Sequence, residues 1–454
     1  MSVCLDTLTS CFQGLIPATL YTSAADGTPN AAYLSHVEYV DSTHVALSFQ
    51  FFNKSRRNVA ENPHALVRVV DPDTQQGWEL RLRFVRSETA GPLFDRMALR
   101  IEAIASYCGM KGVFKLLAAD VYEVVVVRKV PEQPGQPALV ARRPPDAVFT
   151  MRALQELSAR INRADGLGPL LDAILRGLDE IFGFSHSMIL LPGEHPGTLV
   201  TIATHGYPGN GAGAEARFGE GITGVVAEAM KPIRISGLMR GMLYTYAARF
   251  RAEEKGWCPA ERRIPLPGLA NPESQLGVPL VVRGELVGVL CIESETPYRF
   301  HEDDRATVEL LGAYLAIAIQ NAMLREEDAV DEASTGPAPA APAAMPAASR
   351  EVMFYRGDEC VMVDGEYLIR GLPAKVLWKV LKAHAAEGRT EFTNRELRLD
   401  KSLQLPEYKD NLETRLLLLR RRLEEKCPDI RLVPSGRGRF TLELRGGVAL
   451  IERA

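Results

Sequence analysis

Two stretches of this chain cannot join a hydrophobic core, and they constrain its fold more than any other feature. Residues 131–145 contain Pro131, Pro134, Pro137, Pro144 and Pro145. Proline lacks a backbone N–H and fixes φ, so this run interrupts both a helix and a central strand. Residues 326–350 begin acidic and continue as Gly336-Pro337-Ala338-Pro339-Ala340-Ala341-Pro342, a low-complexity composition with few side chains to bury. A chain of 454 residues also exceeds the usual size of one core. Three pieces are predicted, at 1–130, 151–325 and 351–454. A Pro-rich linker at 131–150 and a disordered Ala/Pro linker at 326–350 join them.

Charge and composition exclude several classes of function. There are 53 Lys+Arg against 57 Asp+Glu, a net charge of −4, which is the wrong sign for a chain that coats a polyanion along its whole length. Residues 1–11 carry Asp6 and no basic start before an apolar stretch, so no targeting signal is expected. The apolar run Leu310 to Ile319 ends at Gln320 and is expected to be too short to span a bilayer. Seven scattered cysteines, with no Cys-x-x-Cys pair and no Cys/His cluster of zinc spacing, predict buried free thiols and no metal site. A redox pair between Cys4 and Cys11 is the weaker reading. The expectation is a soluble, cytoplasmic protein with no membrane partner.

The first piece reads as short strands separated by turns. Leu15 to Thr22 leads into the turn pair Asp26-Gly27, and Ala31 to Val40 alternates again. Further strands are expected at Val45 to Phe52, Ala65 to Val70, Leu80 to Phe84 and Val121 to Val127, with a helix over Pro92 to Ala105. After the third of these strand segments, Asn53-Lys54-Ser55-Arg56-Arg57 clusters cations, a hydroxyl and an amide in what reads as a turn. Those donors suit a phosphate, and a solvated basic turn is the plainer alternative.

The segments Asn30-Ala31-Ala32-Tyr33-Leu34-Ser35-His36 and Phe52-Asn53-Lys54-Ser55-Arg56-Arg57, followed by Glu61-Asn62-Pro63, give this piece its family character. It resembles the pyridoxamine 5′-phosphate oxidase-like, FMN-binding split barrels. The resemblance implies that Asn53, Lys54, Ser55, Arg56 and Arg57 hold a flavin phosphate and that Leu34, Ser35 and His36 approach the ring. It also implies a homodimer. No Arg-x-His substrate segment precedes Pro131, so the resemblance carries the cofactor and no catalytic residue. His36 stays open to three readings: a haem ligand, a proton donor, or a packed histidine.

The second piece mixes periods. Apolar residues three and four apart over Leu154 to Phe182 predict two helices. Strands are expected at Met188 to Leu191 and Leu199 to Ala203, and a short helix at Val225 to Met230. A hairpin is predicted over Gln275 to Ile292, turning at Arg283-Gly284, with a long closing helix over Ala306 to Leu324. Gly219-Glu220-Gly221-Ile222-Thr223-Gly224-Val225-Val226, then Leu276-Gly277-Val278-Pro279-Leu280 and Gly284-Glu285-Leu286-Val287-Gly288-Val289-Leu290, resemble a GAF domain. That family implies small-molecule sensing and dimerisation. Ser236 to Asn271 is long for a loop; Met239, Met242, Tyr244, Tyr246, Phe250 and Trp257 within it either line a ligand cavity or simply pack. The ligand itself is not legible.

The third piece starts with strand-like Val361 to Val363 and Tyr367 to Ile369, then a helix over Ala374 to Ala386. Thr393 and Glu396 have capping-box spacing, and a longer helix has Leu412, Leu416, Leu419 and Leu423 as its buried stripe. The run Asn411 to Leu423, followed by Ile430 to Val433 and Gly436-Arg437-Gly438-Arg439-Phe440, resembles the winged-helix DNA-binding domain of response-regulator type. The resemblance implies DNA contacts from Lys409, Arg415, Arg420, Arg421 and Arg422 on the helix and from Arg437 and Arg439 in the wing. Glu407 to Arg445 holds ten cations against seven anions, a modest excess for such a surface. Leu417 and Leu418 stand where that family has polar groove-facing residues. As an exposed patch they would favour a protein partner over DNA.

The expected fold is therefore multidomain: a β split barrel, an α+β GAF domain and a winged helix-turn-helix. The expected function is a ligand- or redox-responsive transcription regulator, with FMN or haem in the barrel. The alternative is an FMN-dependent oxidoreductase whose other parts control assembly.

Overall fold

The computed structural model describes residues 4–12, 16–34, 36–50, 54–71, 74, 76–107, 115–131, 147–209, 211–236, 266–296, 299–332, 350–403, 412–436 and 438–453. Ser35, Asn53, Lys409, Arg437, Cys108, Cys258 and the aromatic and Met residues of 239–257 lie outside them.

The N-terminal unit opens with a 3-10 helix, Leu5–Phe12, and builds a seven-stranded antiparallel sheet. Its strands are β1 (Ala18–Ser23), β2 (Pro29–Leu34), β3 (Val37–Asp41), β4 (His44–Phe49), β5 (His64–Val70), β6 (Gly77–Glu88) and β7 (Ala118–Lys129), in the order β2-β1-β5-β6-β7-β4-β3. Gly27 takes φ +84° in the β1–β2 turn, a conformation glycine adopts without a Cβ clash. The single strand expected over Ala31 to Val40 is instead two strands in different parts of the sheet, because the backbone breaks around His36. The expected basic turn is also different: Lys54–Glu61 forms helix α1. Helix α2 (Pro92–Tyr107) lays Leu93, Met97 and Ile101, each four residues apart, against Ala46, Ala119 and Val121.

The central unit begins with α3 (Ala147–Ile161) and α4 (Leu167–Phe182). A six-stranded antiparallel sheet follows, in the order β10-β9-β8-β13-β12-β11. Its strands are β8 (His186–Pro192), β9 (Thr198–His205), β10 (Glu215–Arg217), β11 (Ile233–Ser236), β12 (Ser274–Val282) and β13 (Glu285–Ser294), and α5 (Gly221–Ala229) lies between β10 and β11. Arg283 and Gly284 both have positive φ, +53° and +82°, as a two-residue hairpin turn with the sheet's right-handed twist requires. The closing helix α6 (Glu302–Glu332) runs further at both ends than the predicted Ala306 to Leu324. Its segment Asp303–Leu324 is long and apolar enough to cross a membrane, contrary to the expectation from the shorter run. Val308, Leu311, Leu315 and Ile319 on one face are nevertheless buried in the core of this unit.

Strand alternation divides the central sheet into two faces. Ile189, Leu191, Leu276, Val278, Leu290 and Ile292 face α4 and α6. Met188, Leu190, Val289 and Cys291 face Ile222, Val225 and Val226 of α5.

The C-terminal unit contains β14 (Arg350–Tyr355), β15 (Cys360–Val363), β16 (Glu366–Arg370), α7 (Leu372–Glu387), β17 (Glu391–Thr393), α8 (Asn394–Leu399), α9 (Leu412–Lys426), β18 (Ile430–Gly436), β19 (Arg439–Leu444) and β20 (Val448–Arg453). The capping box is present: Thr393 Oγ1 accepts from Glu396 N, and Glu396 Oε1 accepts from Thr393 N, both at 3.2 Å. Strands β14 and β20 were not anticipated; they pair in parallel and add the chain's last strand to the first sheet of this unit. The buried apolar residues on the α4–α6 face of the central unit form one contiguous cluster with those of the C-terminal unit. Direct packing thus joins the two units on either side of the Ala/Pro segment.

Candidate functional site

The face of the central sheet beneath α5 carries an unusual polar group. Gln275 on β12 and Glu293 on β13 are directly opposed in register, and both are buried. The Glu293 carboxylate accepts from Leu269 N at 2.8 Å, from Tyr207 Oη at 3.1 Å and from Gln275 Nε2. Gln275 Oε1 is buried with no hydrogen-bond partner among the described residues. The Tyr207 ring meets His186 edge-on at 5.5 Å. Burial pushes Glu293 above its ordinary value, against the three hydrogen bonds that favour its charged form. Burial and the nearby Glu293 together raise the Cys291 thiol well above its usual range. The arrangement leaves one acceptor over, Gln275 Oε1, in an otherwise apolar setting. Sequence reasoning missed it because its signal, a polar residue on each of two paired apolar strands, has meaning only once the register is known.

In the N-terminal unit, α1 is moored to the β1–β2 hairpin. Asn30 Nδ2 donates to Ser55 Oγ at 2.9 Å, Asn58 Nδ2 to Thr22 Oγ1 at 3.1 Å, and Asn62 Nδ2 to Ser23 Oγ at 2.9 Å. Ser55 is buried, whereas Lys54 and Arg57 are exposed. Arg56 lies over the Phe49 ring, 4.2 Å from its centroid. The helix start therefore gathers positive charge on its outer side, where the helix dipole also favours an anion. Leu34 is part of the core. His36 is buried with Nε2 2.6 Å from Glu38 Oε2. Burial lowers its pKa more than that contact raises it. Of its three readings, this geometry supplies the packed, hydrogen-bonded one.

The basic helix α9 is enclosed. Arg415 is 6% exposed and Arg422 3%. Arg422 Nε donates to Leu368 O at 3.0 Å and Nη1 to Glu425 Oε2 at 2.7 Å. Arg420 Nη1 is 3.6 Å from Glu413 Oε2. Arg421 reaches the central unit, where Nη2 donates to Asp172 Oδ1 at 2.7 Å and Nη1 to Ile202 O at 3.0 Å. Arg439, half-buried at the start of β19, lines with Arg420 and Arg431 a cleft of about 1250 Å³ between α9 and the α4–α6 surface. Of the described arginines expected to face a DNA groove, Arg415, Arg421 and Arg422 are turned inward or onto the neighbouring unit, and Arg420 and Arg439 line the cleft. The leucines are covered too: Leu418 is buried, and Leu417 packs toward Gly168 of α4.

Comparison with known proteins matches a GAF-domain family to residues 166–320. No curated protein matches the chain. Among solved structures, the GAF domain of a phosphoenolpyruvate-protein phosphotransferase from Acinetobacter is 19% identical, covering 39% of this chain and 98% of its own, with a TM-score of 0.31. That of Coxiella burnetii is 22% identical, covering 40% and 99%, with a TM-score of 0.31. An FMN-binding protein from Syntrophomonas wolfei subsp. wolfei is 18% identical, covering 28% and 89%, with a TM-score of 0.24. Residues 166–320 of this chain, with the sheet and helices that bury Glu293 and Gln275, are a GAF domain.

Proposed function

We propose that this chain is a dimeric, ligand-responsive transcription regulator. In this reading its N-terminal unit is a flavin-type split barrel and its C-terminal unit is a DNA-binding winged helix. The observation that carries the reading is the direct packing of the GAF domain against α9. A sensory domain whose sheet buries Glu293 and Gln275 on one face shares the core of its other face with a helix bearing Arg415, Arg420, Arg421 and Arg422. The order α7, α8, α9 and the β18–β19 hairpin is that expected of a winged helix. A change of occupancy at Glu293 and Gln275 would reach α9 through the sheet, on whose other face β9 and α4 contact the basic helix through Ile202 and Asp172.

The cofactor part of the proposal rests on Lys54, Arg56 and Arg57 at the start of α1, with Ser55 and Asn53 completing the phosphate contacts. The dimer part rests on α6, where Leu310, Ile317 and Leu324, each seven residues apart, are 60%, 51% and 50% exposed. These three occupy one repeating heptad position on the exposed side of α6, and this reading has the two copies pair along that stripe.

Two measurements test the reading. The visible spectrum of the purified chain, before and after dithionite, is expected to show a two-banded flavin spectrum that bleaches. A protein colourless even after incubation with FMN overturns the cofactor, and an intense single Soret-type band replaces flavin with haem. Selection from random-sequence duplex DNA is expected to yield a preferred site whose binding weakens linearly in log salt. If no sequence is enriched by the wild type or by a variant with its C-terminal unit released, transcriptional regulation is excluded.

A further inference from the structure

Helix α9 presents little open surface over its first three turns: from Leu412 to Leu423 every residue is buried or half-buried, the half-buried Glu413, Leu417, Arg420 and Arg421 line the cleft toward α4 and α6, and only Glu424, Glu425 and Lys426 are exposed. A helix entering a major groove needs a free side about as wide as the groove. What closes this one is the GAF domain, and the contacts are specific. Asp172 and the Ile202 carbonyl hold Arg421, whose side chain is only 11% exposed. Glu194 lies 3.9 Å from Arg415 and accepts from Leu372 N, the first N–H of α7, at 3.1 Å. Arg370 Nε and Nη2 donate to the two carboxylate oxygens of Glu215. Asp172 and Glu194 thus face α9 arginines expected to contact phosphates, Glu215 fastens the adjoining strand β16, and Leu418 is buried at the contact.

We propose that this acidic GAF surface (Asp172, Glu194 and Glu215) is an internal competitor for DNA, holding the C-terminal unit in a conformation that excludes the duplex. The inference rests on the DNA-binding reading above and adds its control. It accounts for Leu417 and Leu418 on a helix meant for a polar groove: those leucines serve the docked state. DNA and the GAF surface cannot hold Arg421 together, so DNA binds only the undocked fraction, and apparent affinity falls by that fraction.

The test compares the full-length wild type with Asp172→Asn/Glu194→Gln/Glu215→Gln. A control of equal charge, Glu273→Gln/Glu295→Gln/Asp303→Asn, lies away from the C-terminal unit. Small-angle X-ray scattering reads docking, and fluorescence anisotropy with random-sequence duplex DNA reads binding. The expected result is a compact wild type and control, an expanded triple variant, and DNA affinity raised at least about tenfold in that variant alone. Expansion with unchanged, measurable DNA affinity overturns the inference and leaves the DNA reading standing. Expansion with no DNA binding by any of the three overturns both. A wild type that is already expanded, a triple variant that stays compact, or a control that gains affinity equally overturns the competition.

Discussion

The hydroxyl of Ser106 in α2 both donates to Gly219 O at 2.8 Å and accepts from Gly221 N at 2.9 Å. Gly221 is the first residue of α5, and the N-cap residue Glu220 makes no side-chain cap. A helix start leaves N–H groups without intrahelical partners, and here a serine from the N-terminal unit satisfies one. The same device recurs at α7, whose N-cap is Gly371 and whose Leu372 N–H is taken by Glu194 of the GAF domain. Each of these helices is capped by a different unit, so losing the contact between units also loosens the helix.

Replacing Ser106 with alanine removes this cap from a buried position. A cost of about 1 kcal/mol is expected, read as a lower midpoint for thermal unfolding of the GAF domain. Hydrogen exchange at the start of α5 should quicken in the same variant. Unchanged exchange there would mean that the bond contributes nothing to the helix.

Glu293 should impose a pH dependence on stability. Its folded-state carboxyl is raised above the ordinary 4.5 by burial, so the folded protein binds the proton more tightly than the unfolded chain. The stability this provides is complete below pH 4.5 and is lost as pH rises through the higher folded value. Glu293→Gln does not titrate, so its melting temperature relative to wild type should rise with pH across that window. A difference that stays flat with pH would remove the raised carboxyl.

Arg422 is expected to behave as a structural residue. Arg422→Ala leaves the Leu368 carbonyl without its charged donor inside the C-terminal unit, at a cost of about 2 kcal/mol. The exposed Arg431, changed to alanine, should shift the unfolding midpoint little. Equal effects from the two substitutions would show that the buried bonds of Arg422 carry no particular weight.

The exposed stripe on α6 makes a separate prediction. Leu310→Glu/Ile317→Glu places like charges across a two-helix seam, and sedimentation should report a monomer where the wild type is a dimer. A variant that sediments as the wild type would place the dimer contact elsewhere.

Much of the secondary structure was legible along the chain because it depends on local periodicity and turn chemistry. The stripe from Leu167 to Leu178, the positive-φ turn at Arg283-Gly284 and the Thr393–Glu396 capping box each need only a few adjacent residues. The basic segment at Lys54 was legible as a charge cluster but not as a helix, since its mooring through Asn30, Thr22 and Ser23 comes from distant strands. Strand β20 was missed because what defines it is its partner β14, almost a hundred residues earlier. The family of residues 166–320 could be recognised from glycine and apolar patterns that encode a sheet and its turns. Only the tertiary structure decided what the polar residues do. It paired Gln275 with Glu293 by strand register, turned His36 into the core and gave Arg421 to Asp172. Charge and hydrogen bonding act through space at a few ångströms, and the sequence orders residues only along the chain.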